Sequence, residues 1–446
     1  MQQRQQHEEY QYGSRIDSIT IEPAFSRWRK ALSSVVGADF EADRAAMGLP
    51  GDVPIVMSGH QAVVFHPGIV AKIAALMHSA KQTGAHPVWI VPDQDAVDPM
   101  RIRMPVGAGL DMTAETLQIA PSPMESVAGV SLDAIGEFDA DVPEELSELV
   151  DYLYGYAGEE SLAAQFGYGV VGLACGWLGV QMPTIVFASQ LRKTQAFSAM
   201  VESMREDPRA CVDAYNAAVA AFADGGVRRL DVDDEKLELP LWRVRPGKAR
   251  ERVFAHQLDE VPKDELIARG LMMTAVVRST LCELFIHGTG GWGYDRITEH
   301  WMRAWRGVEL SPMAHVTATQ KLDFQVDGQR VIEPQRAKWE AHAARHNPAL
   351  VGDQSTQDAK DRLLGQIKEY QDAGENPIGA YRAMHALLDE YRETNAQALK
   401  GLVDRAEEAS AHRRAFELAD DRTWAFVCFD ADSGLRLMEG VRTQMG

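Results

Sequence analysis

Val53-Pro54-Ile55-Val56-Met57-Ser58-Gly59-His60-Gln61, with His66-Pro67-Gly68 close behind, is the stretch from which the fold is read. Val53 to Met57 is a short apolar run bounded by Pro54 and Ser58-Gly59, the pattern of a strand buried on both faces of a parallel sheet. Pro67 suits the first position of a helix. Ile69, Ile73, Leu76, Met77 and Ala80 then follow at helical spacing until Gly84 stops it. His86-Pro87-Val88-Trp89-Ile90-Val91 is the next strand, and it closes on Pro92-Asp93-Gln94-Asp95. Strand, loop, helix and strand within about forty residues make a crossover of the doubly wound kind.

The pattern recurs. Thr184 to Phe187 runs into Ser189-Gln190-Leu191-Arg192 and a helix. Leu281 to Ile286 runs into the loop His287-Gly288-Thr289-Gly290-Gly291-Trp292-Gly293, with a helix expected from Tyr294 to about Trp305. The first fifty residues read as polar and helical, anchored by Phe25 and Trp28. Glu235 to Arg252 reads as a polar connecting segment with a strand at Pro240–Val244. From Pro334 the chain is helix-forming on both sides of a turn at Gly374–Gly379. Met384, Leu388, Tyr391, Asn395, Ala398 and Leu402 mark a heptad seam with one polar member. Trp424 to Phe429 reads as a strand that rejoins the sheet. The expected fold is α/β, with a Rossmann-like parallel-sheet core over residues 1–230 and 263–333. A connecting module spans 231–262, an antiparallel coiled-coil hairpin 334–420, and a returning strand and helix 421–446.

Composition narrows the functions. The chain has 446 residues, 46% hydrophobic, enough for a sizeable core in two or three domains. Forty-five basic against sixty-five acidic residues leave a net charge of -20, which disfavours nucleic acid and anionic membrane as partners. A small phosphorylated ligand needs only a local group of donors and is compatible with that charge. Gly169 to Ala188 is apolar, but Gln181, Pro183 and its glycines fit buried α/β core better than a membrane span. Cys175, Cys211, Cys282 and Cys428 lack any C-x-x-C spacing, so neither a disulfide framework nor a zinc knuckle is expected. The polar start MQQRQQHEEYQYGS shows no secretory segment. Reduced thiols and that start fit a cytoplasmic protein.

Three clusters can carry chemistry. Ser58, Gly59, His60, Gln61, His66 and Gly68 lie at the carboxyl end of a parallel strand, where open α/β sheets bind ligands. The free N–H groups of the next helix suit phosphate, the histidines can stabilise charge on it, and Lys72 lies one turn on. Asp93 and Asp95, with Asp98 near, can hold an amine, a ribose or a magnesium ion, or act as a base. Gly288, Gly290 and Gly293 satisfy G-x-G-x-x-G between strand and helix, yet no acidic residue follows a next strand as a dinucleotide site requires. A glycine loop around another anion, with Gly291 in it and His287, Tyr294 and Asp295 adding specific hydrogen bonds, fits better. Arg278 and Arg296 bracket it, and a buried arginine is a natural carboxylate clamp. The plain alternative for each cluster is a polar turn.

These motifs, in this order, resemble the cysteine-adding enzymes of bacillithiol biosynthesis. That family has a T-G-Q-Q…G-P loop where this chain has Ser58-Gly59-His60-Gln61…Pro67-Gly68. It has an E-D-H-D-like run where Pro92-Asp93-Gln94-Asp95 stands, and a Leu-Leu-Arg-Thr-type helix start near Leu191-Arg192-Lys193-Thr194. Its Gly-Gly-Pro-Gly-Glu…Tyr loop falls at Gly288–Tyr294. The departures are His60 for a glutamine, the loss of one acid and the histidine from the acidic run, and a missing loop glutamate. The resemblance implies a Rossmann-like core, a small module and a coiled coil that pairs two subunits. It also implies a ligase joining cysteine to an amino-sugar malate conjugate, with a site for ATP or ADP and Arg192 near the substrates.

In that reading His60, His66, Asp93 and Asp95 are catalytic, and the other named residues bind substrate or nucleotide. Two alternatives stay open at this point. One is an adenylating nucleotidyltransferase, whose H-x-G-H signature the longer His60–His66 spacing approximates. The other is a non-catalytic scaffold that kept a degenerate pocket.

Overall fold

The computed structural model describes residues 13–35, 40–107, 109–121, 127–138, 142–233, 236–324 and 333–446. The polar start over 1–12 and Glu235 lie outside the described residues. The chain divides into two compact units, Met1–Met104 with Glu115–Leu322 and Arg422–Gly446, and Pro105–Ala114 with Asp323–Asp421.

The chain begins with β1 (Ser14–Glu22), α1 (Phe25–Ala31), α2 (Glu41–Ala46), β2 (Ile55–Gly59), α3 (Pro67–Thr83) and β3 (His86–Val91). A ribbon of β4 (Arg101–Val106) and β5 (Thr113–Gln118) follows, then α4 (Ser147–Gly155), α5 (Leu162–Leu178) and β6 (Thr184–Phe187). Next come α6 (Gln195–Glu206), α7 (Pro208–Ala221), β7 (Glu238–Arg243), β8 (Glu251–Phe254) and β9 (Leu266–Ala268). The core resumes with α8 (Gly270–Val276), β10 (Leu284–His287), α9 (Thr289–Arg306) and β11 (Met313–Leu322). The second unit contributes α10 (Pro334–Ala344), α11 (Gln354–Asp372), α12 (Ile378–Thr394) and α13 (Ala396–Asp420), and α14 (Ala431–Met445) belongs again to the first.

The main sheet has the order β1-β11-β10-β2-β3-β6, and β11 through β6 are parallel. Numbered by chain position, the parallel strands run 3-2-1-4-5, the doubly wound order, and it reverses between β2 and β10. Helices α3, α5 and α14 pack together on one face, and α6 to α9 cover the other. Both faces being covered explains why Ile55, Val56 and Met57 are all fully buried without polar alternation. Gly59 is required where β2 meets β3, since a Cβ there would stand 2.2 Å from the Ile90 carbonyl oxygen. The small antiparallel sheet β8-β7-β9 interrupts the core before α8.

Several expectations are corrected. The first described residues form not a helix but β1, antiparallel to β11, and a bulge between Ile16 and Ser18 breaks the alternation that would have signalled it. Phe25 and Trp28 are buried anchors of α1. Trp424–Phe429 is not a strand: it turns through a 3-10 segment at Phe426–Cys428, where one amide, that of Phe426, donates to the Phe65 carbonyl. Aromatic burial rather than sheet pairing fixes it, since Trp424 and Phe426 are both buried. The glycine-rich part of Gly169–Ala188 is the helix α5. Among the described residues no helix is long and apolar enough to cross a membrane.

In the second unit α11 and α12 pair across a turn with Gly374 at φ 72°, and α10 pairs with α13. The two long helices expected are four. Gly352 (φ 85°) separates α10 from α11, and Asn395 separates α12 from α13. The break at Asn395 shifts the seam, so Ala398 is exposed and Leu399 turns inward beside Ala337, Ala341 and Leu402.

One buried ion pair ties the two central strands. Arg44 Nη2 meets Glu283 Oε1 at 2.5 Å with both side chains 1% exposed, and Glu283 Oε2 accepts from the Ile55 amide at 2.6 Å. Removing one partner leaves an uncompensated buried charge. Glu283→Ala is expected to lower unfolding stability by about 3–5 kcal/mol, whereas Arg44→Met with Glu283→Leu costs far less, as chemical denaturation would measure.

Candidate functional site

The carboxyl ends of β2, β3 and β10 surround a cavity of about 400 Å³, at the point where the strand order reverses. Gly59, His60 and Gln61 follow β2. His66 caps α3, which carries Gly68 and Lys72; Gln94 and Asp95 follow β3; His287 ends β10, and Gly288 leads into α9, whose first turns carry Thr289, Gly290, Gly291 and Tyr294. Three segments far apart in sequence thus reach one cavity. Lying behind its wall is Ser58, whose Oγ donates to the Ile286 carbonyl at 2.8 Å and ties β2 to β10.

Lys72 and His60 are both strongly perturbed. Lys72 is 4% exposed, its Nζ donates to the Gly59 carbonyl at 2.5 Å, and it lies 5.2 Å from the Trp89 ring centroid. Burial lowers its pKa to about 7. His60 is pushed down to about 3, first by burial and then by Lys72, and its ring packs edge-on against Phe65. It therefore stays neutral, which corrects the expectation that it serves as a cation. His66 caps α3: its Nδ1 accepts from the Gly68 amide at 3.1 Å, and its carbonyl accepts from Ile69 and Val70. The first amides of α3 are thus consumed by its own cap. The free N–H groups expected there are not available to an anion.

On the opposite wall Asp95 accepts from Gln61 Nε2 at 2.8 Å and from Arg250 Nη1 at 2.8 Å, and Arg250 lies over Trp242. Asp93 does not line the cavity. Its two oxygens accept from the amide and hydroxyl of Ser189 at 2.9 and 2.6 Å, clamping the ends of β3 and β6 together. Burial raises its pKa to about 6 despite those bonds. Gln94 is 1% exposed; its Nε2 faces the Met273 sulfur, and its Oε1 has no partner.

His287 Nε2 donates to Asp295 Oδ2 at 2.9 Å, and Arg278 Nη1 reaches the same oxygen at 2.5 Å. Burial alone would raise the Asp295 pKa, but His287 and Arg278 outweigh it and hold the carboxyl below its usual range. With Nε2 bonded to a carboxylate, Nδ1 is the basic nitrogen, and it lies against Gly291, where a Cβ would come within 2.4 Å. Burial raises the Tyr294 hydroxyl pKa, and that ring meets His287 edge-on.

The arginines expected to clamp or bind substrate do not line the cavity, and Arg296 is turned to Asp224 and the Phe222 ring. Arg278 is spent on Asp295, Glu299 and the Ser311 carbonyl, and Arg192 donates to the Asp264 carbonyl at 2.6 Å. The glycine motif is also different from the loop expected. Helix α9 begins at Thr289, so Gly290, Gly291 and Gly293 form its first turns rather than a loop. Sequence reading missed Arg422, Thr317 and Met273, which line the cavity with the rest. Arg422 donates to Thr317 Oγ1 at 3.0 Å and to Thr319 Oγ1 at 3.4 Å. It sits more than a hundred residues beyond α9, in a stretch with no motif of its own, so no local signal marked it.

No family model and no curated protein matches the chain. Among solved structures it is similar, at 11% identity, to a Campylobacter jejuni protein provisionally described as an arginyl-tRNA synthetase. The match covers 88% of this chain and 91% of that one with a TM-score of 0.24.

The buried amine allows a sharp test. Because the folded pKa of Lys72 lies below the unfolded one, the unfolded chain binds the extra proton between about pH 7 and 10. Lys72 therefore destabilises the fold most below pH 7, and the penalty fades as pH rises through that window. Lys72→Met is expected to raise the melting temperature at pH 6, with a gain that shrinks toward pH 10. An equal gain at both pH values would contradict a neutralised amine.

Proposed function

We propose that the chain is a carbon–nitrogen ligase that joins cysteine to an amino-sugar malate conjugate, with ATP as the source of acyl activation. One observation carries the proposal. Three of the four stretches on which the resemblance to the bacillithiol family rests, those after β2, after β3 and after β10, meet at one cavity, and His287, bonded to Asp295 behind it, stands in its wall. The resemblance supplies the substrates, and the geometry supplies a base.

Amide formation needs a carboxyl oxygen made into a leaving group and an amine stripped of its proton. ATP supplies the first when bound. For the second, the amine enters having released its ammonium proton to solvent, its lone pair attacks the acyl carbon, and His287 Nδ1 takes the further proton that the nitrogen carries once the bond has formed. Asp295 holds the ring in the required tautomer and stabilises the imidazolium that results. The leaving group departs as an anion toward Lys72. Gln61 and Asp95, braced by Arg250, hold the polar groups of the second substrate on the far wall. Neutral His60 contributes hydrogen bonding and shape. Asp93 supports the site through Ser189 and is a positioning residue. The rest of the work is orientation within a confined space.

In the same reading the helical unit pairs two subunits. Light scattering of the intact chain is then expected at twice its 49.2 kDa, and a monomer mass would remove that part.

The activity is checked by mass spectrometry of the chain with ATP, cysteine and the amino-sugar malate conjugate. A cysteine-dependent amide product is expected. His287→Gln should lower kcat by about 10²–10⁴-fold with little change in the KM for cysteine. Absence of product with the unmodified chain would sink the ligase reading.

A further inference from the structure

Two helices begin at the cavity, and they differ in what their first amides do. Those of α3 bond to His66. Helix α9, eighteen residues long, starts from Gly288 with no side-chain cap, and among the described residues the amides of Thr289, Gly290 and Gly291 have no acceptor. All three residues line the cavity. A Cβ on Gly288, directly before them, would lie 3.6 Å from Lys72 Cδ, so the amine lies beneath the helix start. Lys72 is one turn beyond Gly68 and shares its face of α3. Gly68 in turn lies under Arg422: a Cβ there would meet Arg422 Nη2 at 3.0 Å and the Ala318 carbonyl oxygen at 2.8 Å.

In a chain of net charge -20, neither Lys72 nor Arg422 has a carboxylate partner among the described residues. Lys72 is buried and Arg422 half-buried, and a buried cation left without a counter-charge is costly unless a ligand supplies one. Gln94, across the cavity, leaves a buried acceptor equally unpaired.

We propose that the cavity carries a phosphoryl-binding site at the start of α9, where the amides of Thr289, Gly290 and Gly291, the Lys72 ammonium and the Arg422 guanidinium converge on one phosphate dianion. The donor count favours phosphate over carboxylate. Three amides, the two ammonium hydrogens not used on Gly59 and the free guanidinium hydrogens exceed the roughly four lone-pair sites of a carboxylate. The helix start adds its partial positive charge. This deepens the ligase reading by giving the activating phosphate a seat on α9 rather than α3. It depends on that reading only for the molecule that brings the phosphate.

Inorganic phosphate is the probe, with acetate at equal ionic strength as control, in calorimetry and thermal shift on the full chain. Phosphate is expected to bind and raise the melting temperature, and acetate to do neither. Lys72→Met and Arg422→Met should each weaken phosphate at least tenfold. Thr289→Pro deletes one amide at a position where proline fits, because Gly288 before it is extended (φ -86°, ψ -176°), and should weaken phosphate several-fold. The unmodified chain gives a reading free of folding effects: phosphate should slow acylation of Lys72, followed by peptide mass spectrometry, and acetate should not. Equal effects of phosphate and acetate, undiminished phosphate affinity in both cation variants, or unprotected Lys72 would each overturn the site. Phosphate binding without cysteine-dependent ligation would remove the ligase reading and keep this site. Ligation with phosphate-insensitive Lys72 would do the reverse.

Discussion

The contact between the Lys72 ammonium and the Gly59 carbonyl is the interaction around which the cavity is organised. Gly59 is where β2 and β3 come too close for any side chain, and this close approach leaves its carbonyl at the sheet's upper edge. Helix α3 crosses back over β2 and brings Lys72 to that oxygen. The amine is thereby held over Trp89 and beneath α9, bonded to no acid among the described residues. Burial lowers its pKa, and burial of the His60 ring, with Lys72 as the second cause, keeps that imidazole neutral.

Much of this was legible in sequence because it is local. The run from Val53 to Val91 carries two strands, a proline start and a glycine stop, and the doubly wound order follows from them. His60, His66, Lys72, Asp95 and His287 were recognised because strand ends of a parallel sheet share one edge. What was not legible is non-local. Arg422 has no periodicity or motif around it, and only the return of the chain from the helical unit brings it to Thr317. Asp93 and Asp95, alike in sequence and two residues apart, would share a face on a strand, but they lie in the turn after β3, where that alternation no longer holds, and they fall on different sides of the wall. Arg278 read as a clamp for substrate, yet Asp295 and Glu299 consume it.

Overall charge and local charge part company here. A net -20 describes the surface seen by a polyanion, and the argument against nucleic acid rests on that surface. Inside the cavity the balance reverses. The acids near it are already matched, Asp95 by Arg250 and Asp295 by Arg278 and His287. Lys72 and Arg422 are not, so the acidic chain keeps a confined cationic pole for a small ligand.

The contrast between α3 and α9 shows why a helix start alone does not make a site. Both begin at the same sheet edge and both have glycines in the first turn, so sequence ranks α3 higher because two histidines and a proline accompany it. His66 at its N-cap then satisfies the amides that would have held the anion, and the histidine that made α3 look functional is what closes it. Gly288 offers α9 no side chain with which to do the same. The glycines of that turn allow His287 to lie flat against Gly291 while leaving the amides open. Glycine here trades helix stability for access, and the trade is confined to the one helix start that two unmatched cations face.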